Sequence, residues 1–178
     1  TISPSMDILI SSNLERLLYS LTQDPDEVRR CMARLNEVGK YQVSDRVKDK
    51  LQKRFKGYFC DDKETQRMIR AVYQKYGYLI DTHTAVAFSA LEQYRAETED
   101  DTPTIVASTA SPFKFCGSVL EALGEPSPAS GLDALDQLAA KSGQPVPAPL
   151  AGLRNKSVRF TQVVEKERMV DAVLSLLE

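Results

Sequence analysis

Thr104-Ile105-Val106-Ala107-Ser108-Thr109-Ala110-Ser111-Pro112-Phe113-Lys114-Phe115 is the stretch on which the fold turns. Its first five residues are short, β-branched and bounded by turn formers, the pattern of a buried strand. Ser111 followed by Pro112 is how a helix begins, with a hydroxyl cap and then a residue whose missing N–H is no loss at the first helical position. Strand, loop and helix start in that order make an α/β unit. Open α/β sheets take ligands at the carboxyl ends of their strands, and the free N–H groups of the next helix suit an anion there. The same Ser-Thr-Ala-Ser-Pro is equally how a plain loop and cap are written, so the residues alone leave both readings open.

Outward from this stretch the chain reads as helices. Asp24-Pro25-Asp26-Glu27 starts one whose inner face is Val28, Cys31, Met32, Leu35 and Val38, with Gly39 as its left-handed stop. Ser44 caps a second, with Val43, Val47, Leu51 and Phe55 recurring every four residues, and Gly57 to Cys60 reads as a short strand or turn. Asp61 and Glu64 form a capping pair for a helix lined by Met68, Val72, Tyr73 and Tyr76 and closed by Gly77. Thr82-His83-Thr84 opens another, with Val86, Ala87, Ala90, Leu91 and Tyr94 inward, until the acidic run from Glu97 to Asp101 breaks it. After Ser111 a helix turns Val119, Leu120 and Leu123 inward and ends at Gly124.

Residues 125–131 and 142–149 are rich in Pro, Ser, Ala and Gly and connect a helix at about 132–141, and Leu150 to Phe160 reads as extended. Val163, Val164, Met169, Val170, Val173, Leu174 and Leu177 predict an amphipathic C-terminal helix. One strand cannot make a sheet, so its partners are the weaker strand readings here or lie outside the chain.

Composition bounds the function. At 178 residues, 42% apolar and 27% charged, the chain is long enough to bury one sizeable core. Twenty-three Lys+Arg against 25 Asp+Glu give a net charge of −2, which leaves no positive field to gather nucleic acid or an anionic membrane. No apolar run approaches the roughly 20 residues of a membrane span and no secretory leader opens the chain, which together predict a cytoplasmic protein. Cys31, Cys60 and Cys116 are odd in number and far apart, and one histidine stands in the whole chain, so reduced thiols and no metal site are expected. The start at Thr1, without methionine and inside a dense Ser-Pro-Ser-Met-Asp stretch, reads as a piece cut from a longer protein.

Thr109-Ala110-Ser111-Pro112-Phe113-Lys114-Phe115 is similar to the Thr-Ala-x-Pro-x-Lys-Phe motif of the threonine synthases of microbes and fungi. Ser3-Pro4-Ser5-Met6-Asp7-Ile8, followed by Ser12-Asn13-Leu14-Glu15-Arg16, resembles a second segment of that family, and His83-Thr84-Ala85-Val86 a third. The three stand in order between Ile2 and Phe115, while the region beyond is generic. The resemblance implies the α/β fold of the type II (tryptophan synthase β-like) pyridoxal-phosphate enzymes, with this chain as a helix-rich C-terminal fragment. Residues 1–124 would belong to the cofactor-binding large domain, and 125–178 would be an extension with a linker and a terminal helix.

It also implies conversion of O-phosphohomoserine and water to L-threonine and phosphate, with pyridoxal phosphate as electron sink. In this fold type a hydroxyl meets the pyridine nitrogen, and Thr109 is the matching position, with Ser108 as the nearest substitute. A neutral hydroxyl acts there through a hydrogen bond and leaves the ring less electron-withdrawing than a carboxylate would. At the substrate end the motifs imply Ser5, Asp7 and Asn13 as short polar contacts, His83 as an imidazole able to pass protons, and Lys114 as a phosphate-facing charge. The plain readings beside these are a capped helix, a structural histidine and a surface lysine.

No catalytic residue is expected in the chain itself. The family's cofactor-holding lysine lies in a Ser-x-Lys-Asp context and its phosphate cradle is a Gly/Asn-rich loop, whereas the eight glycines here are scattered. The N-terminal part of the same polypeptide is therefore the expected partner, and the fragment alone is expected to be inactive. A different class of reading is a non-catalytic, helix-rich interaction or regulatory domain whose Ser/Thr loop is only a cap.

Overall fold

The computed structural model describes residues 1–177, which divide into two compact units, Thr1–Gln144 and the segment from Pro145 on. The first opens with helices α1 (Ser12–Thr22), α2 (Pro25–Val38) and α3 (Asp45–Gln52). Asp24 caps α2 as its sequence predicts, accepting from the N–H groups of Asp26 (2.8 Å) and Glu27 (3.1 Å), and Gly39 ends it at φ 74°. Leu18, Val28 and Val47 meet as a small core, with Met32, Tyr41, Val43 and Leu51 packed against it. Phe55 departs from the predicted inner face. Helix α3 stops at Gln52, so the four-residue spacing loses its geometry before reaching it, and the ring is half exposed.

Helices α4 (Asp62–Tyr76), α5 (Thr82–Thr98), α6 (Cys116–Ala122) and α7 (Gly131–Ser142) form the rest of this unit. Helix α4 packs on α5 and on α6, and α6 packs on α7. Asp61 accepts from Glu64 N–H at 2.8 Å, Gly77 closes α4 at φ 64°, and Thr65, Met68, Ile69 and Val72 are buried. Val119, Leu120 and Ala122 of α6 face Ala134, Leu135 and Leu138 of α7 with essentially no solvent exposure. Between α4 and α5 every residue from Leu79 to Ala85 is buried, so the chain enters α5 through the interior.

The helix-rich character stands, and the strand does not. Among the described residues there is no β-strand, either at Thr104–Ser108 or at Gly57–Cys60. The side chain of Ile105 is 96% exposed. A strand exists only where a neighbour completes its ladder. Ser111 does accept from Phe113 N–H (3.3 Å), but the first turn, Pro112–Phe115, is a 3-10 turn before α6 begins.

In the second unit the expected long terminal helix shrinks to α9 (Met169–Leu174), preceded by a 3-10 turn at Lys166–Arg168, and its apolar residues are exposed. A short helix gains little from its own hydrogen bonds and depends on burying its stripe. Leu150 to Phe160 is not extended throughout: α8 (Ala148–Ala151) runs into a 3-10 turn at Gly152–Asn155.

Candidate functional site

The site is built around the N-terminus of α5. Asp81, with no solvent exposure, is the cap, and its Oδ1 accepts the N–H groups of His83 at 2.8 Å and Thr84 at 3.4 Å. The His83 ring is engaged at both nitrogens. Nε2 accepts the N–H of Ser5 at 3.1 Å, so the ring proton sits on Nδ1, which faces Asp81 Oδ1 at 3.2 Å and Thr82 Oγ1 at 3.3 Å. Phe115 tilts against the ring with centroids 4.7 Å apart.

Thr84 joins this cluster to the loop after α5. Its hydroxyl bonds the second carboxylate oxygen of Asp81 and lies 3.1 Å from the Ser108 hydroxyl. A carboxylate only accepts, so Thr84 is the donor to Asp81, and the same hydroxyl is directed at the Ser108 oxygen. Ser108 is thus held next to Thr109.

A recess of about 480 Å³ opens beside these groups, bordered by Met6, Tyr58, His83, Tyr94, Val106 and Thr109. Its wall is mainly aliphatic and aromatic, with His83, Thr109, Thr104 and Lys56 as its polar or charged members besides the tyrosines. At its far side Tyr58 donates to Glu97 Oε2 at 2.6 Å while Lys56 Nζ pairs with Glu97 Oε1 at 3.0 Å. The bond to Glu97 pushes the Tyr58 phenol up to about 12, and the Tyr58 and Lys56 bonds hold the Glu97 carboxyl below its usual range. Tyr94 donates to Asp100 at 2.6 Å. Hydrogen bonds from Thr102 and then Tyr94 take the Asp100 carboxyl down to about 2.

Of the residues singled out by sequence, Thr109 and His83 border the recess, and Ser5 reaches His83 through its backbone N–H rather than its hydroxyl. Ser108 is exposed, does not border the recess, and accepts from Thr84. Asp7 is exposed and borders an adjoining recess of about 420 Å³ with Ser3 and Asp61. Asn13 lies on the first turn of α1, accepting from Arg16, and Lys114 is exposed in the 3-10 turn, with neither bordering the recess that holds His83. Sequence reasoning missed Asp81, although an aspartate directly before Thr82 is a legible cap. It also missed the Tyr58, Lys56 and Glu97 group, which is distant in sequence and carries no local signal.

The cysteines are free, and burial pushes the Cys116 thiol up. Among the described residues no cluster of His, Cys, Asp or Glu could hold a metal ion, and no helix is long and apolar enough to cross a membrane.

The family model described as Threonine synthase, C-terminal, matches residues 84–174. The chain belongs to that family. The threonine synthase of Pseudomonas aeruginosa is 31% identical over 176 residues, which cover 98% of this chain and 34% of that protein. The crystal structure of threonine synthase from yeast superposes with a TM-score of 0.77 at 30% identity, over 99% of this chain and 36% of that one. The structure of pyridoxal-phosphate-bound threonine synthase from Brucella melitensis gives 0.70 at 28% identity, over 98% of this chain and 33% of that one. The chain spans 16% to 34% of the length of curated relatives it matches, human threonine synthase-like 1 at the lower figure. The match begins inside the His83-Thr84-Ala85-Val86 motif and contains Thr109 to Phe115.

Proposed function

We propose that this chain forms one wall of the pyridoxal phosphate site of a threonine synthase, which converts O-phosphohomoserine and water to L-threonine and phosphate. The observation that carries the reading is Thr109 at a recess lined mainly by aliphatic and aromatic side chains and by His83. A flat aromatic ring fits such a space, and a hydroxyl is the right neighbour for a pyridine nitrogen. The phosphate end fits less well. The scattered glycines make no cradle, and Lys56, the lysine bordering the recess, is paired with Glu97. The lysine and the phosphate loop are therefore assigned to the N-terminal part of the same polypeptide, and this chain alone is expected not to turn over.

When bound, pyridoxal phosphate supplies the electron sink for the reaction. Thr109 would donate a hydrogen bond toward the ring nitrogen without placing a full charge beside it, and Ser108 is kept in line by Thr84. His83 and Phe115 shape the neighbouring wall, while Val106, Ala87 and Leu91 keep it apolar and exclude water. Ser5 and His83 stand together and are assigned to the substrate end, with Asp7 at its border. For Asn13 and Lys114 a part in substrate binding rests on the family motifs alone. The sheet of the α/β fold is completed, in this reading, by residues beyond this chain pairing with Thr104–Ser108. Residues 1–124 then belong to the cofactor domain and 125–178 to the extension, in a cytoplasmic enzyme.

Thr109→Val in the full-length enzyme tests the reading. Loss of one neutral hydrogen bond to the cofactor, about 0.5–1.5 kcal/mol, lowers kcat by up to about tenfold and alters the cofactor absorbance, and Thr109→Ser restores both. Normal turnover and an unchanged spectrum in the valine variant would show that Thr109 has no such role.

A further inference from the structure

Asp81 is the one fully buried carboxylate among the described residues, and the function above does not use it. No Lys or Arg salt bridge to it is present among the described residues, and its partners are two backbone N–H groups, the Thr84 hydroxyl and His83 Nδ1. A helix cap does not require this. Asparagine or serine caps about as well as aspartate and avoids burying a charge. What only the carboxylate provides is the inability to donate. Every group touching it must give it a proton, so the directions of all four hydrogen bonds are fixed at once.

We infer that Asp81 is a positioning residue, whose acceptor-only carboxylate fixes the Thr84 hydroxyl and the His83 ring and so, through the Thr84–Ser108 contact, holds the loop bearing Thr109 to the start of α5. Two consequences follow from the bonds. His83 carries its proton on Nδ1 and turns an unprotonated Nε2 to the Ser5 amide, so it pins the N-terminal segment. Thr84, held by Asp81, keeps its hydroxyl 3.1 Å from the Ser108 oxygen and so fixes the residue next to Thr109. With asparagine in place of Asp81, the amide oxygen serves the two N–H groups and His83 while the NH2 donates to Thr84.

The part about Thr109 rests on the proposed function, whereas the hydrogen-bond order does not, and the experiment separates them. His83 is the only histidine in the chain, so a ¹⁵N-histidine-labelled sample gives one imidazole signal without assignment. The expected result is a proton on Nδ1, with its resonance far downfield because the acceptor is a carboxylate, and an upfield move in Asp81→Ala. A proton on Nε2, or an Nδ1 proton indifferent to Asp81→Ala in a sample whose helical circular dichroism is intact, overturns the inference. If the alanine variant does not fold, Asp81→Asn is read in its place: it keeps the Nδ1 proton but moves it upfield, because a neutral amide is a weaker acceptor, and an unmoved resonance overturns the inference. The same signal can be read in the full-length enzyme, with His83→Gln to identify it.

Kinetics of the full-length enzyme provide the second arm. Thr84→Ser keeps the hydroxyl and loses a methyl, whereas Thr84→Val keeps the shape and loses the hydroxyl. The relay requires kcat to fall about tenfold in the valine variant, the equivalent of about 1.4 kcal/mol, and to be largely kept in the serine variant. A packing role gives the opposite order, and that order refutes the inference. Thr109→Val with normal turnover sinks the cofactor reading alone and leaves the histidine spectrum to judge Asp81.

Discussion

Ile105→Ala separates what this chain is by itself from what the proposed parent enzyme makes of it. Ile105 is 96% exposed in a segment that forms no ladder among the described residues, so its side chain contributes almost no burial here. In the isolated chain the substitution should therefore change stability by less than about 0.5 kcal/mol. In the full-length enzyme the proposed sheet covers the same side chain, and truncating a buried isoleucine costs about 2–5 kcal/mol. For a domain of 150–250 residues that corresponds to a fall in Tm of about 4–20 °C, since each kcal/mol moves Tm by about 2–4 °C. The assay is thermal and urea unfolding of both proteins, wild type and variant, followed by far-ultraviolet circular dichroism. A small effect in the chain and a large one in the enzyme is the expected pair. Equal, small effects in both would refute the idea that Thr104–Ser108 completes a sheet, and a large effect in the isolated chain would contradict its exposure.

Leu120→Ala supplies the opposite contrast. Leu120 is 0% exposed on α6, the helix that packs against both α4 and α7, so the variant should lose about 2–5 kcal/mol in urea unfolding of the chain itself, and a loss below about 1 kcal/mol would argue against this core. Asp100 predicts an acid effect. Its folded carboxyl is lowered from 3.8 to about 2, so its contribution is present above 3.8 and is lost as pH falls through about 2. The stability gap between wild type and Asp100→Asn should close over that window, and a gap independent of pH would show that the Thr102 and Tyr94 bonds do not act as described.

Most caps and stops were legible because they are local, although the Ser44 hydroxyl goes to Glu27 and makes no cap bond to α3. Asp24, Asp61, Gly39, Gly77 and Gly124 each act on backbone within a few residues, and each stands where its pattern placed it. Thr104–Ser108 and the terminal helix were not legible, because their composition describes what they would pack against rather than what this chain offers them. Phe55 failed for a related reason, since a four-residue spacing says nothing about where the helix stops. At the site, the motifs brought Ser5, His83 and Thr109 to one place. Asp81 was visible as a cap, but its hold on Thr84 and Ser108 depends on a loop 24 residues further on, which no spacing rule anticipates.

The bonds that fasten the first residues reach far along the chain. Ile2 N–H gives to Asp62 across 60 residues and Ser5 N–H to His83 across 78, while Ile8, Leu9 and Ile10 beside them are mostly exposed. Hydrogen bonds from Thr1, Ile2 and Ser5 with little apolar burial make a weak latch, one that lifts off in a local opening long before α4, α5 and α6 separate. Deuterium uptake at the Ser5 amide is a clock for that event. It should run orders of magnitude faster than uptake in the middle of α4, and its rate measures how often the histidine-facing side of the recess stands open to solvent.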